Sequence, residues 1–123
     1  MIQEAYVSFE VAKILKEKGF NDPCLRVYDK NGIISIRYLG FDIPHNYTNR
    51  LLYLCPTHQM AMAWLRDVHN IFIVIDRYSN ISCNFSFWQG DNYYENTLKK
   101  GFPSYEEAVE AALKYCLENL ILL

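Results

Sequence analysis

Cysteine and histidine come closest together in CPTHQMAMAWLRDVHN, residues 55–70, where Cys55 stands three positions before His58 and fourteen before His69. A cysteine beside a helix N-terminus has its thiolate favoured by the helix dipole, and a histidine one turn away can serve as its base. The pair is the chain's nearest approach to thiol chemistry. Zinc would need three or four ligands. His58 and His69 lie roughly 16 Å apart if they share one helix, no second Cys/His pair occurs at short spacing, and His45 falls in a stretch without periodicity. No metal and no cofactor are expected. The simpler reading of the motif is a helix start: Pro56 preorganises the backbone, Cys55 or Thr57 caps it, and Met60, Ala61, Trp64, Leu65 and Val68 form an apolar stripe. In DNYYEN, Asp91 and Glu95 offer acid–base groups beside two tyrosines, but polar residues clustered in a loop are ordinarily solvated. There is no glycine-rich phosphate loop and no serine nucleophile turn. No catalytic residue is assigned.

A second arrangement concerns anions. LRVYDKNGIISIRY contains Asn31-Gly32, the pair that favours a two-residue type I′ turn in which both central residues take positive φ. That register sets Leu25, Val27 and Asp29 opposite Tyr38, Ile36 and Ile34 on a core side. It sets Arg26, Tyr28 and Lys30 opposite Arg37, Ser35 and Ile33 on a wet side. Opposed like charges are unfavourable on a sheet and invite a compensating anion, so Arg26, Tyr28, Lys30 and Arg37 are the candidate ligand-binding residues.

The elements that must position these groups follow from periodicity. Ser8 caps a first helix over residues 9–18, with Val7 stapled onto Ala12, and Gly19 ends it so that Phe20 folds back onto Leu15. Residues 39–54 read as a long loop, with a short apolar run at 51–54 that could be an edge strand. IFIVIDRY and ISCNFSFW form a hairpin about Ser79-Asn80, which faces Phe72, Val74 and Asp76 with Phe87, Phe85 and Cys83 and leaves both sheet faces at least partly covered. QGDNYYENTLKKGF follows as a loop, with room for a short strand around Tyr93. The last helix opens with the capping box Ser104-x-x-Glu107 and carries Tyr105, Ala108, Val109, Ala112, Cys116 and Leu120 at spacings of three and four. The predicted fold is α+β: an antiparallel sheet of four or five strands with three helices mainly on one face, in the order αββ(β)αββα, as one domain over residues 1–123.

Composition agrees with a single core. The 123 residues are 51% hydrophobic, with ten tyrosines and seven phenylalanines. That is enough to fold unaided and too few for two full cores. Twelve Lys+Arg against fourteen Asp+Glu leave a net charge of −2 with no long basic run, so non-specific nucleic-acid binding is not expected. The sequence MIQEAYVSFE carries acid where a signal peptide carries base, and no apolar run approaches the roughly 20 residues of a membrane span. A cytoplasmic location and no membrane are expected, with Cys24, Cys55, Cys83 and Cys116 as reduced thiols. NLILL leaves Ile121, Leu122 and Leu123 pointing around the whole helix, where one sheet cannot cover all three. They are the candidate interface, with a homodimer as its expected form.

VSFEVAKILKEKGF, CPTHQMAMAWLRDVHNIFI and SYEEAVEAALKYCLENLI, about half the chain together, resemble a group of small hypothetical proteins of prophages and mobile elements in Bacteroides-like bacteria. The resemblance implies a genomic setting and says nothing about catalytic residues. The expected function is that of a non-enzymatic phage or mobile-element accessory protein that binds a macromolecular partner, a host or phage protein, or itself. The alternative is a small-ligand binder that sequesters an anionic metabolite or signalling nucleotide. A second alternative is a thiol or acid/base enzyme centred on Cys55 and His58.

Overall fold

The computed structural model describes residues 3–36, 52–96 and 101–121. It is an α+β fold with three helices and six strands among these residues, in the order α1 (Phe9–Glu17), β1 (Arg26–Asp29), β2 (Ile34–Ile36), β3 (Leu52–Cys55), α2 (His58–His69), β4 (Ile71–Ser79), β5 (Ser82–Gln89), β6 (Asn92–Glu95) and α3 (Tyr105–Leu120).

The helix ends follow their local sequence. Ser8 accepts the Val11 N–H, Thr57 the Met60 N–H, and Ser104 the Glu107 N–H, so each helix has a hydroxyl cap on an orphan donor. Thr57, not Cys55, caps α2. α1 ends at Gly19, whose φ of 95° is easy only for glycine. There the Phe20 N–H donates to the Leu15 carbonyl and the Gly19 N–H to that of Lys16, the two bonds of a Schellman ending.

The strands form two three-stranded antiparallel sheets, β2-β1-β3 and β4-β5-β6, in place of the single sheet of four or five strands expected. Two strands account for the change. Residues 52–55, read as a run that could be an edge strand, do lie at an edge, but of the first sheet beside β1; NYYE, read as a loop with room for a short strand around Tyr93, forms that strand as β6 of the second sheet. Gly90, at φ 61°, makes the tight turn from β5 into β6.

Both predicted hairpin registers are corrected by one residue. Arg26 faces Ile36 and Tyr28 faces Ile34, so the first loop holds three residues. Of its residues only Gly32 has positive φ, at 82°, which excludes the type I′ turn. In the second hairpin Phe72 faces Trp88 and Ile73 faces Phe87, with a bulge between Arg77 and Ser79. Because side chains alternate, a slip of one changes which residues share a face. Ile71, Ile73 and Ile75 therefore join Phe85 and Phe87 toward the helices, while Phe72 and Trp88, 44% and 41% exposed, face outward with Val74. The outer face is only partly covered: Ser86, opposite Val74, is buried while its aromatic neighbours are exposed, within the expectation of at least partial cover on both sides.

One core unites the sheets. Val27 and Leu54 of the first, Ile71, Phe85 and Phe87 of the second, and stripes from all three helices belong to a single buried cluster. α3 packs on β4 and β5, α2 on β4, and α1 on β3 and α3.

Candidate binding site

At the second sheet's edge, aromatic side chains gather where the helix layer ends. β5 directs Phe85 and Phe87 inward, and Tyr94 of β6 stacks beside Phe87 with ring centroids 5.3 Å apart. Tyr115, on the flank of α3, tilts toward both phenylalanines at 5.7 and 6.2 Å. α3 packs mainly on β4 and β5, and between it and β6 these rings border a half-open cavity of about 650 Å³. Among the described residues Tyr93, Glu95 and Asn96 also line it. Centroid separations of this kind favour tilted and offset ring contacts, so the walls are held by one another as well as by the core.

The main chain of β6 contributes to the same cavity. Asn96, one residue beyond β6, donates its N–H to the Phe85 carbonyl, 3.2 Å away, which continues the β5–β6 register by one step. In an antiparallel ladder the hydrogen-bonded pairs alternate, so Tyr94 and Asn92 also bond inward while Tyr93 and Glu95 turn their N–H and C=O groups away from β5. Among the described residues β6 is the last strand of its sheet. Alternation also sends the Tyr93 and Glu95 side chains to the outer face, where Tyr93 meets Trp88 at 5.0 Å. What these two residues bring to the cavity is therefore their backbone edge.

The residues singled out by sequence lie elsewhere. Tyr28 is buried, its hydroxyl donating to the Val7 carbonyl at 2.7 Å and its ring packed on Phe9, so the side expected to be wet is covered by the N-terminal segment and α1. The Arg26 guanidinium sits 3.8 Å from the centre of the Tyr6 ring, a stacked cation–π contact. Its cross-strand partners are Ile36 and Cys55, so the premise of two opposed arginines does not hold. Lys30 is exposed in the turn, and Arg37 lies outside the described residues. Ile121 is 4% exposed, covered by its own chain, while Leu122 and Leu123 also lie outside the described residues.

Cys55 and His58 are both engaged in a buried junction. The Cys55 thiol donates to the Val7 carbonyl at 3.6 Å. Burial is the largest influence on it and pushes its pKa up, outweighing the opposing effects of Tyr28 and Arg26. The thiol, not the thiolate, is the form present near neutral pH. His58, 5% exposed, bonds through Nε2 to the Glu110 carboxylate of α3 at 2.7 Å, and the same carboxylate accepts the Ser8 N–H at 3.1 Å. The His58 N–H donates to the Ala5 carbonyl and the Val7 N–H to that of Pro56, so the N-terminal segment runs antiparallel to the entrance of α2. These bonds join α1, α2 and α3 and leave neither Cys55 nor His58 facing the cavity. His69 packs edge-on against Trp64 at 4.8 Å. Among the described residues no three metal-ligating side chains come together, no helix is long and apolar enough to cross a membrane, and all four cysteines are free thiols.

The cavity was missed because its parts are scattered. The inward alternation of Phe85 and Phe87 was legible only with the correct register, and Tyr115 stands off the apolar stripe of its helix. Asp91 and Glu95 read as acid–base candidates, whereas the Tyr94 ring and the backbone of Tyr93 and Glu95 line the cavity. No protein-family model, curated protein or solved structure matches the chain.

Proposed function

We propose that this chain is a non-enzymatic binding protein, with the cavity between β6 and α3 as its binding site and a macromolecular partner as its ligand. The resemblance to small prophage and mobile-element proteins supplies the setting of an accessory protein. One observation carries the reading: a half-open space of about 650 Å³ whose walls are the rings of Phe85, Phe87, Tyr94 and Tyr115. A site of that size with mostly aromatic walls and few polar groups suits recognition. Among the described residues its walls hold no thiol, imidazole or hydroxyl nucleophile beyond tyrosine, which favours binding over turnover.

The anionic-ligand alternative draws less support. Arg26 already stacks on Tyr6 and Tyr28 is buried, so neither is free to receive a phosphate. The enzyme alternative meets a buried, pKa-raised Cys55 and a His58 held by Glu110. Native mass spectrometry of the protein purified from cells, run beside Tyr115→Ala, tests the proposal. The expected result is a co-purifying species on the wild type that is lost from a folded Tyr115→Ala. An empty wild-type protein, or a species retained by both, counts against the cavity as the site.

A further inference from the structure

Resting on the reading of the cavity as a binding site, we infer that its ligand is an extended, basic and aromatic peptide segment that adds to the second sheet as a fourth strand beside β6. Three independent features converge on that chemistry. Tyr93 and Glu95 turn their main-chain N–H and C=O groups outward at the sheet edge, the pattern of donors and acceptors that an added strand satisfies. The cavity lies against that edge on the inner face, and it would receive alternate side chains of such a strand between Tyr94 and Tyr115. From Asn84 to Asn96 the only charged side chains are Asp91 and Glu95, both acidic and both exposed. No lysine or arginine lies within that stretch; the next in sequence, Lys99 and Lys100, fall outside the described residues.

Alternation turns these features into a sequence rule. Side chains on one face of the added strand enter the cavity and are aromatic or bulky apolar. Those between them fall on the outer face, next to Glu95 and to the exposed row of Phe72, Trp88 and Tyr93 that crosses all three strands. There a lysine or arginine pairs with the carboxylate and lays its methylenes along the rings. A free cation or a planar small molecule would use the cavity alone and leave the backbone edge without a role.

The test separates the edge from the cavity. A displayed library of random heptapeptides is selected on the wild-type protein, and one synthetic, fluorescein-labelled winner is measured by polarisation. Proline at an edge position whose N–H points outward leaves the existing ladder intact, so Glu95→Pro removes one outward donor together with the carboxylate, and comparison with Glu95→Gln, which removes only the charge, isolates the donor. A copy of the peptide N-methylated at alternate amides makes the same test with wild-type protein, should Glu95→Pro fail to fold. The expected result is selection of peptides with basic and aromatic residues alternating, at least a tenfold loss of affinity for Glu95→Pro or for one N-methylated register, and weaker salt dependence for Glu95→Gln. Peptides that bind Glu95→Pro and both N-methylated registers as tightly as the wild type, yet lose affinity with Tyr115→Ala, overturn strand addition and leave the cavity standing as the site. Failure to select any peptide overturns strand addition, and winners indifferent to Tyr115→Ala overturn both readings.

Discussion

Glu110 shows how one carboxylate can join three helices. Burial by itself would raise its pKa, but the bonds from His58 and from the Ser8 N–H outweigh that effect and hold it below the ordinary glutamate range. The sign of the linkage follows. The unfolded chain binds this proton more readily, so the stabilisation is complete above the ordinary value of about 4.3 and is lost as pH falls through the lower folded-state value. Glu110→Gln keeps the shape while turning charge-assisted bonds into neutral ones, a loss of about 1 kcal/mol at neutral pH. Urea melts of both proteins across the acid range should show that difference shrinking to nothing below the carboxylate's titration. A difference that stays constant with pH would mean the charge contributes nothing. None of this was legible in sequence, since Glu110 stands among Glu106, Glu107 and Glu118 and reads like them as part of a solvated helix flank. Only the placement of His58 and Ser8 over it, a matter of tertiary packing, separates it from them.

At the scale of elements, the helices were legible because their determinants are local, whereas the hairpins were each misread by one residue for a physical reason. Asn31-Gly32 is a strong turn signal, yet Asp29 decides the first turn. Its carboxylate accepts the N–H groups of Asn31 and Ile33 at 2.7 and 3.0 Å, while the Gly32 N–H donates to its carbonyl. Those bonds fix a three-residue loop with the left-handed residue last, a common alternative to the two-residue turn. The turn also packs on α1: a Cβ at Gly32 would lie 3.0 Å from Phe9 Cδ2, while one at Gly19 would meet nothing within 4 Å. Both substitutions to alanine incur the left-handed penalty of about 1–2 kcal/mol, but only Gly32→Ala must also displace a ring held between Tyr28 and Tyr53. Chemical denaturation should rank Gly32→Ala as the more destabilised. Equal losses would show that the hairpin turn and α1 do not bear on each other.

For the whole molecule, the α+β class and three capped helices could be read from the chain, but the division of strands between two sheets could not. β1 and β3 meet across a long separation, and neither carries a local signal for the other, so their pairing is set by where the shared core allows the 52–55 segment to lie. The last turn of α3 makes the same point. Helical periodicity left Ile121 looking for cover outside the chain, yet it is 4% exposed. Its carbonyl accepts the Lys18 ammonium at 3.2 Å, which ties the end of α3 to the end of α1. A chain ending at Asn119 would thus lose core as well as any contact made by later residues: Ile121 is buried and Leu120 packs against the cluster. Burial of a large aliphatic side chain contributes about 1.5–3 kcal/mol, so the shortened chain should unfold at a clearly lower temperature. Self-association adds a different signature, because a dimer's melting temperature rises with protein concentration. Melts of both chains over a wide concentration series distinguish the two origins. The burial of Ile121 predicts a drop that is the same at every concentration; a drop that vanishes on dilution would assign these residues to an interface between two copies.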